Sequence, residues 1–189
     1  MKRDDQWSLT LSRLPVLHMR DAPLRRIVER RMLEARTPPD FLFVSGRPGR
    51  YNPAGLFCLY AVEDAATAGA EFERYWAGLP VQYVLYFCRV TGPILDLANP
   101  AVRRSLGLKK SDLFTPWRGR KRPTLTQRLG AITAAQARFI GIRFPSDAAQ
   151  ERKLDGCNIV VFRDVVAAPA SVVITDDRSR PLQTWPCPI

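Results

Sequence analysis

The 189-residue sequence predicts an α+β fold, a mixed β core with flanking helices. Three observations carry that prediction. Apolar, β-branched and aromatic runs of strand length recur along the chain, the strongest being Val81-Gln82-Tyr83-Val84-Leu85-Tyr86-Phe87-Cys88-Arg89-Val90. Two segments carry helix signals instead, from about Ala65 to Trp76 behind Asp64 and from Leu125 to Ala137 behind Thr124, each opening on a residue suited to an N-cap. Strands and helices alternate irregularly, with no internal repeat, which argues against a regular doubly wound sheet.

In chain order, residues 1–23 show no long apolar period and read as an irregular basic arm. Leu24, Ile27, Val28, Met32 and Leu33 fall at roughly helical spacing among six arginines from Arg20 to Arg36, predicting a helix that Pro38-Pro39 ends. Phe41-Leu42-Phe43-Val44 is a short strand candidate. A polar loop, Ser45 to Gly55, follows. Its three glycines and two prolines exclude a helix or a central strand. Leu56 to Ala61 reads as a buried strand, Ile94-Leu95-Asp96-Leu97 as another, and Asn99 to Leu108 as a short helix. Residues 109–124 form a basic loop. Arg138 to Phe144, Asn158 to Phe162 and Ser171 to Thr175 complete the strands, and the tail from Asp176 is Pro-rich and extended. This length fits one domain, organised as the arm, a body over 24–164 and a terminal strand and tail over 165–189.

Composition narrows the function. At 46% hydrophobic residues the chain can bury a substantial core. It holds no apolar run long enough to span a membrane and no apolar leader at its N-terminus. The four cysteines stand far apart, no CxxC pair occurs and His18 is the only histidine, so a metal site is not expected. Cys58 and Cys88 sit in apolar runs as buried thiols, which suits a reducing, cytoplasmic setting. The formal net charge of +11 attracts phosphate-bearing ligands, nucleic acid or an acidic partner. The densest basic cluster is Arg118-Gly119-Arg120-Lys121-Arg122. A nucleic-acid reader would interleave exposed aromatics with basic residues. Most aromatics here lie inside apolar strands, which counts against direct nucleic-acid binding.

The chemistry concentrates around the polar loop. A nucleophilic triad lacks its histidine and its elbow, and Gly46-Arg47-Pro48-Gly49 lacks the Lys-Ser pair of a phosphate loop. What remains is a metal-free site of arginine, tyrosine, glutamate and serine. Arg47, Arg50, Tyr51 and Asn52 suit an anion and a planar ring. Loop, strand and helix in succession bring Arg50, Tyr60 and Glu71 toward one cleft.

Gly49-Arg50-Tyr51-Asn52-Pro53-Ala54-Gly55, with Tyr60 and Glu71 at their spacing, resembles the opening motif of the RES domain family. Ala137 to Ser146 and Gly156-Cys157-Asn158-Ile159-Val160-Val161-Phe162 resemble its second half, and the similarity covers roughly residues 24–164. Pro48 and Tyr51 depart from the family pattern of glycine and tryptophan at those places. The resemblance implies an ADP-ribosyltransferase-like core and a toxin that depletes NAD by cleaving the bond between nicotinamide and ribose. It implies an Xre-type antitoxin as partner and NAD as substrate, with no further cofactor. On this reading Glu71 stabilises the ribosyl cation, and Arg50, with Arg26 as second candidate and Arg25 beside it, holds the pyrophosphate. Tyr60 packs on or hydrogen-bonds to the nicotinamide ribose end. Ser146 hydrogen-bonds the carboxamide or a ribose hydroxyl, and Tyr51 and Asn52 join the binding loop. The acceptor, water or phosphate, stays open. Two other functions compete: an ADP-ribosyltransferase acting on a macromolecule, for which Glu73 offers a second acid, and a non-enzymatic basic nucleic-acid-binding module.

Overall fold

A computed structural model of the chain describes residues 3–29, 46–76, 82–175 and 178–186. Among these are five helices: α1 (Arg3–Leu11), α2 (Ala65–Trp76), α3 (Pro100–Ser105), α4 (Leu125–Gln136) and α5 (Asp147–Glu151). Seven strands accompany them: β1 (Leu17–Glu29), β2 (Cys58–Val62), β3 (Tyr83–Asp96), β4 (Gly141–Pro145), β5 (Cys157–Phe162), β6 (Ser171–Thr175) and β7 (Pro181–Trp185).

The strands run in the order β1-β2-β5-β4-β3-β6-β7, and β1 also pairs with β3. The pairing closes β1, β2, β5, β4 and β3 into a five-stranded barrel, with β6 and β7 extending beyond it. The long strand β3 makes the closure possible. One of its edges pairs with β1 from Tyr83 to Ile94. The other is divided, Phe87 to Thr91 against β6 and Ile94 to Asp96 in parallel with β4. Gly92, at φ 145°, lies at that division, where an added Cβ would come within 2.6 Å of Ile140 Cδ1 and 2.9 Å of the Ala170 Cβ. A side chain there would block the change of partner.

Period-two alternation sorts the strand residues onto two cores. Leu24, Val28, Leu59, Ala61, Cys88 and Val161 belong to the core inside the barrel. Cys58, Ile142, Phe144, Val160 and Phe162 face the other way, against Trp7 and Leu11 of α1, Val102 of α3 and Leu129 of α4. The helices thus cover one flank of the barrel. Their ends follow the capping expected from the sequence. Asp64 Oδ1 accepts the Thr67 amide at 2.8 Å at the start of α2. Thr124 and Gln127 cap α4 reciprocally.

The structure corrects several expectations. Residues 3–23 are not an irregular arm: they supply α1, whose Trp7 is 1% exposed, and much of β1. Trp7 Nε1 donates to the Leu106 carbonyl at 2.9 Å, so the helix is anchored by a long-range bond no local pattern reveals. The helix expected from Leu24 is strand as far as Glu29, because Leu24 and Val28 answer to the barrel's inner face at period two. The rest of that helix and the Phe41–Val44 strand lie outside the described residues. Ile94–Leu97 is not separate but continues β3 to Asp96. The tail contributes a paired strand, β7, rather than an extended run.

Candidate active site

The seam between β1 and β2 is nearly unpaired: Arg25 opposite Val62 is their one register position among the described residues. A cleft of about 380 Å³ lies alongside it. Arg26, Arg50, Tyr60 and Glu71 all line this cleft, together with Phe72 and Asn158. Residues from β1, the polar loop, β2, α2 and β5 therefore converge on one space.

Glu71 lies on α2, where Ala68 and Ala70 are 5% and 2% exposed and bring the helix close against the barrel. Its Oε1 accepts two hydrogen bonds, from Ser146 Oγ at 2.7 Å and Asn158 Nδ2 at 2.6 Å. Its Oε2 has no partner among the described residues. Two donors on one oxygen hold the carboxylate in a single orientation and leave the second oxygen for a ligand. Ser146 is itself fixed as the N-cap of α5, accepting the Ala149 amide at 3.0 Å.

Arginines make up much of the remaining lining. Arg50 Nη1 donates to the Leu113 carbonyl at 2.9 Å, Arg26 Nη1 to the Tyr60 carbonyl at 2.9 Å and Arg25 Nη1 to the Glu63 carbonyl at 2.8 Å. Each guanidinium is thereby anchored through one nitrogen. Burial lowers the pKa of Arg26 from its ordinary value. Five arginines line the cleft (Arg25, Arg26, Arg50, Arg74, Arg118) against two carboxylates, Glu71 and Asp147, so its field favours an anionic ligand.

The polar loop is a rigid shelf. Asn52, fully buried, donates through Nδ2 to the Arg47 and Leu56 carbonyls, both at 2.9 Å. Its Oδ1 accepts the Tyr60 hydroxyl at 2.9 Å, and that hydroxyl accepts the Tyr51 amide at 2.9 Å. Gln127 Nε2, on α4, donates to the Gly49 carbonyl at 2.8 Å. Burial raises the Tyr60 phenol well above its ordinary pKa, so it is a fixed neutral group at physiological pH.

These contacts redistribute the roles read from the sequence. Tyr51 and Asn52, expected to touch a ligand, do not line the cleft. The Tyr51 ring is buried against Phe144, with centroids 4.4 Å apart, and Asn52 is consumed by the loop's own carbonyls. Ser146, also fully buried, reaches the cleft only through Glu71. The Tyr60 ring lines the cleft, but its hydroxyl is committed to the loop. Glu73 is exposed, ion-paired with Arg152 and absent from the cleft wall. Sequence reasoning missed Asn158, although a polar residue near the start of the apolar run Cys157–Phe162 was the available signal. It also missed Gln127, for which a buried capping side chain gave none.

The sequence model of the RES domain matches residues 23–188. The chain belongs to the RES domain family. RES domains are associated in general with toxins and with enzymes acting on NAD. The comparison with curated proteins returned no match. In this RES domain the matched span takes in all seven strands except the first residues of β1. The described residues contain no group of acids, histidines and cysteines that would hold a metal ion, and no helix long and apolar enough to cross a membrane.

Proposed function

We propose that this RES domain is a toxin that cleaves the nicotinamide–ribose bond of NAD, with NAD as substrate and no other cofactor. The observation that carries this is the Glu71 carboxylate, pinned by Ser146 and Asn158 in a cleft that anchored arginines also line.

The nicotinamide nitrogen of NAD is already cationic. When the C1′–N bond breaks, the electron pair returns to the ring and nicotinamide leaves neutral, without a proton donor. The energy barrier lies in the ribosyl oxocarbenium that remains. Glu71 Oε2 supplies the negative charge that stabilises this cation, and its fixed orientation avoids reorganisation during the reaction. Arg50 and Arg26 hold the pyrophosphate, whose geometry matches a guanidinium fork. The Tyr60 ring packs at the ribose end. Water or phosphate then adds to the cation from the open side.

An ADP-ribosyltransferase-like core, action in the cytoplasm and control by an Xre-type antitoxin covering the cleft complete the proposal. The positive cleft suits an acidic inhibitory segment. Transfer of ADP-ribose to a macromolecule is the less supported reading, since Glu73 lies outside the cleft.

The test is incubation of the purified protein with NAD, following free nicotinamide. Glu71→Gln keeps the side-chain size and removes the charge. The expected loss is about 10²–10³ in rate, the scale of removing one transition-state contact. Wild-type protein that releases no nicotinamide, or Glu71→Gln as active as wild type, refutes the reading.

A further inference from the structure

Trp117 stands apart from the aromatics buried in the two cores. It is half-buried in the loop after the Lys110–Phe114 turn and lines the cleft. The guanidinium carbon of Arg118 lies 5.3 Å from its ring centroid. Arg118 lines the cleft with it, and Arg120, Lys121 and Arg122, exposed, follow in the same loop. An aromatic face among basic residues is the combination that stacks a nucleobase while holding its phosphates. Phe72 and Tyr60 are half-buried aromatics in the same cleft, but they lie on α2 and β2 without this basic run beside them, and the bond-breaking chemistry makes no use of Trp117.

Its place in the cleft says which base it meets. The donors that fix Glu71 come from the start of α5 and from β5. Arg50 is tied instead to Leu113, in the turn just before Trp117. Trp117 therefore belongs to the Arg50 side. A dinucleotide with its reacting ribose at Glu71 and its pyrophosphate at Arg50 directs its other nucleoside toward Trp117. The cleft, about 380 Å³, is near the small end of ligand sites, which run from about 300 to 1,000 Å³. A ligand with two bases reaches its rim.

We propose that Trp117 is the stacking platform for the adenine of the dinucleotide, a half-site distinct from the bond-breaking end. The inference rests on reading the cleft as an NAD site. Adenine stacking contributes to the bound substrate and the transition state alike, so its loss raises KM and leaves kcat in place.

The experiment compares wild type, Trp117→Ala and Trp117→Phe on NAD and on nicotinamide mononucleotide, which lacks the adenosine half. Trp117→Ala should raise KM for NAD by about 5- to 150-fold, the range for one base–aromatic stack, with kcat within about twofold. Trp117→Phe should recover most of that loss, and the mononucleotide should be used equally by all three. An unchanged KM for NAD, or an equal loss on both substrates, overturns the half-site. Equilibrium dialysis with ADP-ribose separates this inference from the reaction itself. If wild type releases no nicotinamide yet binds ADP-ribose more tightly than Trp117→Ala does, the half-site stands and the cleavage reading fails. If NAD is cleaved but both proteins bind ADP-ribose equally, the half-site fails and the cleavage reading stands. If wild type neither cleaves NAD nor binds ADP-ribose, both fail.

Discussion

Arg26 Nη1 donates a 2.9 Å hydrogen bond to the main-chain carbonyl of Tyr60, across the seam where β1 and β2 pair at Arg25 and Val62. Arg25 does the same to the carbonyl of Glu63. In a continuous ladder, backbone amides would satisfy such carbonyls. Here guanidinium groups replace them, so the barrel stays joined where its strands part to form the cleft. The Nε of Arg26 is buried without a protein partner among the described residues.

Arg26 should therefore matter to the fold as well as to the ligand. Arg26→Ala should lower unfolding free energy by about 1.5–3 kcal/mol, the range for a hydrogen bond to a charged group. Arg26→Lys should recover only part of this, since an ammonium lacks the planar fork. Urea denaturation measures both. An unchanged midpoint for Arg26→Ala would show that the seam does not depend on it.

Ser146 and Asn158 should behave as a coupled pair. Both donate to Glu71 Oε1, so loss of either lets the carboxylate turn. Ser146→Ala and Asn158→Ala should each reduce kcat for nicotinamide release. The double variant should lose less than the sum, with a coupling of about 0.5–3 kcal/mol, as for residues sharing one partner. Additive effects would mean that the two act separately. Ser146→Ala also uncaps α5, so it should cost about 1 kcal/mol of stability that Asn158→Ala does not share.

Tyr60→Phe should separate the loop role of the hydroxyl from the packing of the ring. The substitution removes the acceptor of the Tyr51 amide and a donor to Asn52. Leaving a buried amide unsatisfied costs about 1–3 kcal/mol. Thermal unfolding should fall by that amount, while the ring keeps its place in the cleft. A stable Tyr60→Phe with no NAD turnover would instead assign the hydroxyl directly to the reaction.

Gly130 should not tolerate alanine. An added Cβ would come within 1.7 Å of the Tyr51 carbonyl oxygen, main chain that cannot swing aside. Gly130→Ala should push α4 off the polar loop, stretch the Gln127 contact to Gly49 and destabilise by about 1–3 kcal/mol or more. Native-like unfolding of this variant would contradict the close approach.

Buried thiols give a pH dependence with a definite sign. Burial pushes Cys88 and Cys157 up to about 11 from an ordinary value of 9.0, and Cys58 is raised as well. Between these values the unfolded chain has released thiol protons that the folded chain still holds. Unfolding is then favoured as pH rises. The contribution is fully present below about pH 9 and is lost progressively toward pH 11. Denaturation midpoints should fall over that window, and less steeply in a Cys88→Ala, Cys157→Ala double variant. Mass spectrometry after native alkylation at pH 8 should find Cys58, Cys88 and Cys157 unmodified.

Local signals proved dependable where a neighbouring side chain makes the contact. Asp64 and Thr124 cap their helices because the capping oxygen meets an amide three residues on. β6 spans Ser171–Thr175, the bounds read from its β-branched run. The segment from Leu24 misled because its apolar residues fit both a helical and a strand period over so short a run. Its pairing with β3 settled the choice. Asp21, at φ 52°, and the register shift between Met19 and Ala22 further disturbed the pattern.

The residue types of an arginine-rich cleft with one central glutamate, the order of its elements and the family were all determined by the sequence, because each is written in neighbouring side chains and their spacing. The division of labour among those residues was decided only by the tertiary structure. Tyr51 and Asn52 stand next to Arg50 in the chain, yet their side chains are buried in the core and within the loop while Arg50 reaches the cleft. Asn158 lies 87 residues from Glu71 and meets it through the closure of the barrel. A hydrogen bond depends on distance in space, and over such separations only the packing of the whole chain sets that distance.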